Sequence, residues 1–515
     1  MKKTFMTYLK SIFAIALLST VVAACTNLEL DESDSIFLED TDEGFAGVAD
    51  VGAALDQLYN DVRGQLEDQG NFFALNEVST DETLVPTRGT DWGDNGIWRT
   101  LHAHTWSPTH QYILSTWNNL NQNVFRATQI IDQRSGPTAE QKAEAQFLRA
   151  FSMYFVLDMW GVAPFREVDE GSDVDPRVLS AAEAYDFILQ DLTEARDNLP
   201  VRGPSADNNT ASRAAANFML AKLYLNAQRY NGNPNYQGVI TAVDAIAADG
   251  YALETGYFDI FKEDVDNETI WFVPASVGNR IWNGLHYNQN SPDNEGGGWN
   301  GFTTLAEFYD SFEGNPNSNY VGDAGDERRG WVPDASNAGP DNLGIGYGFL
   351  IGQQYDTDGS PLSNRSGAPL VFTRDLPGLS GNTEETGIRI IKYHPVNGAF
   401  TGHEIVFRYA DAHLMKAEAM LRSGGGNATA MVNELRALRG ASTLGNVSEA
   451  DLLAERGREL YIEFWRRNDL LRFGQFTRDW EFKNAESVGA DYRNLYPIPI
   501  NALLSNPNLV QNEGY

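Results

Sequence analysis

Apolar positions begin to recur at helical spacing near residue 53, where Leu55, Leu58 and Val62 fall on one face of the stretch from Ala53 to Gln65. The same period continues in "QYILSTWNNLNQNVFRATQIID" and in a helix opening at Thr138. There Thr138 and Gln141 have capping-box spacing, and Gly161 supplies the stop. Ser180 and Glu183 repeat the box before a helix that ends at Pro200, and "SRAAANFMLAKLYLNAQRY" and "YQGVITAVDAIAADG" predict two more. In "AANFMLAKLYLNAQ" alanines alternate with large apolar residues. Two helices can therefore approach at the alanines while Tyr224 fills the groove beyond. Such pairs have the character of tetratricopeptide (TPR) units, although no strict 34-residue period is present.

From about 251 to 403 the pattern changes. Segments such as "NEGGGWNGF" and "YDTDGSPLSNRSGAP" are rich in Gly, Asn, Pro and Asp, and helical periodicity is mostly lost. Long ordered loops in a folded chain are usually functional. Helices are expected again in "EIVFRYADAHLMKAEAMLRSGGG", "ATAMVNELRALRG" and, as one element capped by Ser448, "SEADLLAERGRELYIEFWRRNDLLRFG". The expected fold is mostly α: a TPR-like helical-pair solenoid (44–250 and 404–475) with a large irregular, loop-rich region carrying short strands (251–403) and a C-terminal segment (476–515).

The beginning of the chain follows different rules. Lys2, Lys3 and Lys10 precede an apolar run to Ala24 that is shorter than the ~20 residues a bilayer-spanning helix needs, so 1–24 reads as an export signal. The string Val22-Ala23-Ala24-Cys25 resembles the lipobox of bacterial lipoproteins, which makes Cys25 the expected lipid attachment point and 25–43 an acidic tether. Removing 1–24, with three lysines and no acid, moves the formal charge from −33 to −36. Such a surface repels phosphate backbones and argues against nucleic-acid binding. Cys25 is the only cysteine, so an internal disulfide and a Cys-based zinc site are both excluded.

Four stretches then match one family in order: "EAQFLRAFSMYFVLDMWGVAPF", "RYADAHLMKAEAMLR", "ERGRELYIEFWRRNDLLRFGQF" and the terminal "YPIPINALLSNPNLVQNEGY". Together they resemble the SusD/RagB family of outer-membrane nutrient-uptake lipoproteins. Pro497, Pro499, Asn506, Pro507, Asn508, Gln511, Asn512 and Tyr515 carry the most specific part of the match. The resemblance implies a lipid-anchored protein on the exterior of the outer membrane. It implies binding of an oligosaccharide or polysaccharide, and partnership with a TonB-dependent SusC-like transporter, without catalysis and without a cofactor. Arg149, Arg408, Glu418, Glu459, Arg466 and Asp469, within these motifs, read as paired charges that lock helices together.

Sugars present a weakly apolar face and a rim of hydroxyls, so a binding site needs flat aromatic platforms flanked by carboxylate, amide and guanidinium groups. Two clusters offer both. In "TRGTDWGDNGIWRTLHAHTW" the candidates are Trp92, Asp91 and Arg88, whereas Trp98 and Trp106 fit partial burial on an alternating pattern. In "NRIWNGLHYNQNSPDNEGGGWNGF" they are Trp282, Tyr287 and Trp299, in a stretch with almost no aliphatic residues. The high negative charge favours a neutral glycan. Weaker signals are His102 and His104, which on a strand would face one way as half of a metal site, and Asp356-x-Asp358-Gly359, a fragment of a calcium loop without its later Glu. No metal site is assigned, Ca2+ being the sole candidate ion. Two other functions fit parts of the pattern: a glycoside hydrolase using two loop carboxylates, and a TPR-like scaffold for another protein.

Overall fold

The computed structural model describes residues 44–171, 173–274, 284–289, 297–323, 325–397 and 402–515. Cys25 and Trp282 lie outside them. The long helices are α1 (Val51–Glu67), α2 (Gln111–Ile131), α3 (Ala139–Trp160), α4 (Ala181–Asn198), α5 (Arg213–Leu225), α6 (Tyr236–Ala248), α7 (Tyr409–Arg422), α8 (Ala428–Leu438) and α9 (Glu449–Leu460). Each packs on the next in a succession of pairs from α1 to α6, and α7 continues the stack against α6. Local sequence sets their ends. Capping boxes open α3 (Thr138 and Gln141), α4 (Ser180 and Glu183) and α9 (Ser448 and Asp451), and Gly161 closes α3 at φ 75°. Helix α3 lies at the centre, with every residue from Ala145 to Trp160 buried.

Three predicted helices are interrupted. "EIVFR" is a strand (Glu404–Arg408) paired antiparallel with Thr269–Val273, where β-branched Ile405 and Val406 suit a buried ladder. The expected long helix after Ser448 stops at Leu460 and restarts as Arg466–Arg472. Between them Ile462 and Phe464 adopt φ of 54° and 72°. Their backbone N–H groups donate to the buried carboxylates of Glu82 (3.2 Å) and Glu77 (2.6 Å), so tertiary acceptors replace the helical ones. The helix after Ser212 breaks at Asn226, whose amide donates to the Tyr154 hydroxyl at 3.2 Å.

Region 251–403 has its own core, in which Tyr257, Phe261, Phe308, Phe312, Phe349, Ile388 and Tyr461 meet. Its longest sheet orders 389–391, 347–350 and 330–331 antiparallel. A buried ion cluster ties this half to the helices. Glu459 of α9 receives Arg328 (3.1 Å), Arg408 (2.8 Å) and Arg439 (2.9 Å), while Arg408 also reaches Glu268 and Glu463. The motif charges are indeed paired: Arg149 with Asp191, Glu418 with Arg472, Asp469 with Arg456, and Arg466 with Asp81. The C-terminal motif clasps the end of α3. Asn512 donates to the carbonyls of Trp160 and Tyr496, Trp160 Nε1 donates to Pro497 O at 3.1 Å, and Gln511 bonds Ile498 in both directions.

Asp81 bridges Arg466 and Arg478, each at 2.7 Å. Burial pushes its carboxyl up, but the two guanidiniums outweigh burial and hold it at about 2, below its ordinary 3.8. A folded-state value below the unfolded one stabilises the protein above ~pH 4, and that stabilisation is lost as the pH falls toward 2. Denaturant titrations are expected to show about 2 kcal/mol of stability from this group lost between pH 5 and pH 2, and absent from Asp81→Asn. Parallel pH profiles for the two proteins would contradict the assignment.

Candidate functional site

The first aromatic loop is anchored before it can present anything. Arg88 and Asp91 exchange backbone hydrogen bonds (3.0 and 2.8 Å) around a tight turn, and Gly89 N–H donates to Asn382 O at 3.1 Å. Arg88 itself is 3% exposed, and its Nη1 donates to Thr383 O (2.9 Å) and Thr386 O (2.6 Å). The expected ligand contact at Arg88 is therefore corrected. Its guanidinium staples this loop to the 382–386 loop, because alternation around the turn sends Arg88 inward and Asp91 outward.

Beyond the turn, Trp92 (φ 58°), Asp94 (φ 36°) and Asn95 (φ 52°) all occupy the left-handed region. Three such non-glycine residues within four positions, interrupted only by right-handed Gly93, are costly and persist only where neighbours enforce them. The enforcing contacts are visible. Trp92 Nε1 donates to Trp299 O at 2.7 Å, and its ring meets those of Trp98, Trp299 and Phe302 at 5.9, 6.4 and 6.1 Å. Trp98 Nε1 in turn donates to Asp94 at 2.9 Å. Trp98 and Trp106 are each 2% exposed and belong to the core.

The two loops, more than 200 residues apart in sequence, thus meet at Trp92 and Trp299. They border a cavity of about 720 Å³ lined by Gln69, Asp91, Trp98, Tyr112 and Tyr287 as well. Trp299 is 48% exposed, the largest exposed aromatic surface among the described residues. Asp91 and Tyr287 converge: the Tyr287 hydroxyl donates to Asp91 Oδ2 at 2.8 Å. Arg365 completes the rim. Its Nη2 donates to Asp91 Oδ2 at 2.6 Å, its Nε donates to Glu384 Oε1 at 2.5 Å, and its guanidinium carbon lies 3.8 Å from the Tyr287 ring centre. His286 Nε2 lies 3.1 Å from Glu384 Oε2.

These contacts fix the charges. Burial pushes the Asp91 carboxyl up, yet hydrogen bonds from Arg365 and Tyr287 hold it below the usual range. Glu384 follows the same pattern, with burial opposed by the Arg365 backbone and side chain and by His286. Burial, then the Asp91 carboxylate, raises the Tyr287 phenol to about 12, and burial lowers His286 to about 4. At neutral pH the network around Asp91 holds two carboxylates, one guanidinium and one phenol, with the neutral His286 imidazole fully buried against Glu384. Arg365, Glu384, His286, Gln69 and Tyr112 carried no sequence signal for this site.

The weaker signals resolve into structure. His102 ends a short helix (Ile97–His102) rather than lying on a strand, and it contacts Glu481 O at 2.8 Å, while His104 contacts Ser79 O at 2.7 Å. Both rings are buried. Asp358 receives the Ser360 N–H at 2.8 Å in a turn closed by Gly359 N–H to Asp356 O. Among the described residues no group of three His, Cys, Asp or Glu side chains is disposed to hold a metal ion.

A helical solenoid thus bears a loop-built, aromatic-rimmed cleft of the size of a small-molecule site. The chain belongs to the SusD family: the family pattern matches residues 267–515, and a pattern described as "Starch-binding associating with outer membrane" matches 30–225. It is 30% identical to the starch-binding protein SusD of Bacteroides thetaiotaomicron across 99% of both chains, and 25% identical to SusD-like protein P38 of Formosa agariphila across 98% of both. Among solved structures it resembles the surface glycan-binding protein A of B. thetaiotaomicron in complex with laminarihexaose. That match has a TM-score of 0.67 at 18% identity and covers 90% of this chain and 98% of the other. A laminarin-binding SusD-like protein matches at TM-score 0.65 and 22% identity, over 92% and 100%.

Proposed function

We propose that this protein is a cell-surface lipoprotein that captures a neutral oligosaccharide or polysaccharide and passes it to a TonB-dependent SusC-like outer-membrane transporter, without cleaving it. The observation that carries the reading is the junction of Trp92 and Trp299 above the Asp91–Arg365–Tyr287 rim. Exposed indole faces can stack on sugar C–H surfaces while fixed donors and acceptors take the hydroxyls. The starch- and laminarin-binding names of the relatives agree with it. The acid–base state of the rim also favours binding over hydrolysis. A general acid for glycosidic cleavage has to stay protonated near neutral pH, whereas Arg365 holds both Asp91 and Glu384 ionised.

Calorimetry against starch, fructans, β-glucans, mannans and host glycans tests the reading. Binding to one class without release of reducing sugar is expected. No binding across the panel, or reducing-sugar release, would overturn it.

The lipid anchor is a separate element of the proposal, supported by the lipobox-like string before Cys25; among the described residues no helix is long and apolar enough to cross a membrane. Cys25→Ala is expected to leave glycan affinity unchanged and to move the protein from the membrane fraction to the soluble one. Retention in the membrane fraction without Cys25 contradicts the anchor.

A further inference from the structure

Next to the aromatic groove lies a second cavity, of about 240 Å³, between α1 and α2. Leu58, Val62 and Leu66 of α1, with Ile113, Trp117 and Leu120 of α2, are buried as a helix interface requires. Beside that apolar seam the same helices and the turn after α1 turn polar, and Asn60, Gln65, Asp68, Asn71, Thr116 and Asn119 line the cavity. Gly64, in the middle of α1, also faces it, and a side chain there would meet nothing within 4 Å. A mid-helix glycine is unfavourable by about 1 kcal/mol relative to alanine, and no close contact requires this one; its effect is to keep the space open.

Thr116 points to an occupant. It is 2% exposed, and its hydroxyl has no hydrogen-bond partner. A buried helical threonine ordinarily returns its hydroxyl to the carbonyl one turn back, as Thr128 does to Val124 O at 2.8 Å. Leaving a buried hydroxyl unpaired costs about 1–3 kcal/mol, so a ligand hydroxyl has a ready partner here. The buried amide oxygen of Gln69 is also without a partner, and Gln69 lines the aromatic groove.

The charged groups of the pocket are already committed. Asp61 is paired with Arg126, and Asp68 receives the Gly70 N–H at 2.9 Å and the Asn71 amide. The Asn71 amide is taken by Asp68 and the Gln65 amide oxygen by Asn123, which leaves the Asn60, Asn119 and Gln122 amides and the Thr116 hydroxyl, the chemistry of an uncharged polyhydroxyl ligand. The two cavities are neighbours: Gln69 borders one and Asp68 and Asn71 the other, while Tyr112 and Thr116 lie about one 5.4 Å helical turn apart on α2.

We propose that the α1–α2 pocket takes a further sugar residue of the same glycan chain that stacks on Trp92 and Trp299, so that affinity grows with chain length. This rests on the sugar-binding reading above. The test is calorimetry with oligosaccharides of two to seven residues from each glycan class in the panel, on wild-type protein, Gly64→Leu and Thr116→Val. Leucine at position 64 fills the open space and is a better helix former than glycine, so the fold is retained, which the thermal midpoint checks. Wild-type affinity is expected to rise with length. Gly64→Leu should bind the shortest chains equally well and the longest about tenfold more weakly, and Thr116→Val should lose about fivefold on the longest, the worth of one hydrogen bond. If all three proteins bind the longest chains equally, the pocket holds water only and this inference falls while the aromatic groove stands. If wild type binds no oligosaccharide of any class, the sugar-binding reading falls with it.

Discussion

Replacing Glu459 with alanine is expected to lower the free energy of unfolding by about 3–5 kcal/mol, enough to unfold many domains at body temperature. The carboxylate is fully buried and receives three guanidiniums, from Arg328, Arg408 and Arg439. Burial alone would push its pKa up, but Arg439, Arg408 and Arg328 together hold it well below the carboxylate range. Its removal leaves Arg439 sharing Glu268 with Arg408, and excess positive charge in a fully buried site. Urea denaturation of Glu459→Ala measures the loss. A change below about 1 kcal/mol would show that the cluster is not what joins the irregular half to α9.

Trp299→Ala is expected to weaken glycan binding by at least about 30-fold, the 2 kcal/mol typical of an aromatic anchor, with little change in thermal stability. The stability expectation follows from its exposure of 48%. A companion variant reaches the same site without altering any residue proposed to touch sugar. A Cβ at Gly301 would lie 2.4 Å from Trp92 Cζ2, so Gly301→Val must displace the Trp92 ring and its hydrogen bond to Trp299 O. It too should lose affinity. Wild-type binding by both variants would place the sugar elsewhere.

The helices were legible where the signal is local. Thr138, Ser180 and Ser448 announce their caps within four residues, and their geometry agrees. The break at 461–465 was not legible, because the acceptors that cause it are Glu77 and Glu82, far earlier in the chain. The same division runs through the site. Trp92 and Trp299 stand out as large aromatics in Gly- and Asn-rich loops, with almost no aliphatic residues near Trp299 in the sequence. Arg365 sits in an unremarkable turn 274 residues from the Asp91 it pairs with, and only folding brings them together. Arg88 shared the composition of a ligand contact, but a turn of two residues decided which of Arg88 and Asp91 faces the groove.

The measurement that tests the central claim most directly is a crystal structure of the protein with the oligosaccharide it binds best. A sugar ring stacked on Trp299, with hydroxyls within hydrogen-bond distance of Asp91 or Arg365, is the predicted result. A well-ordered sugar bound away from the Trp92–Trp299 groove, with that groove empty, would contradict it.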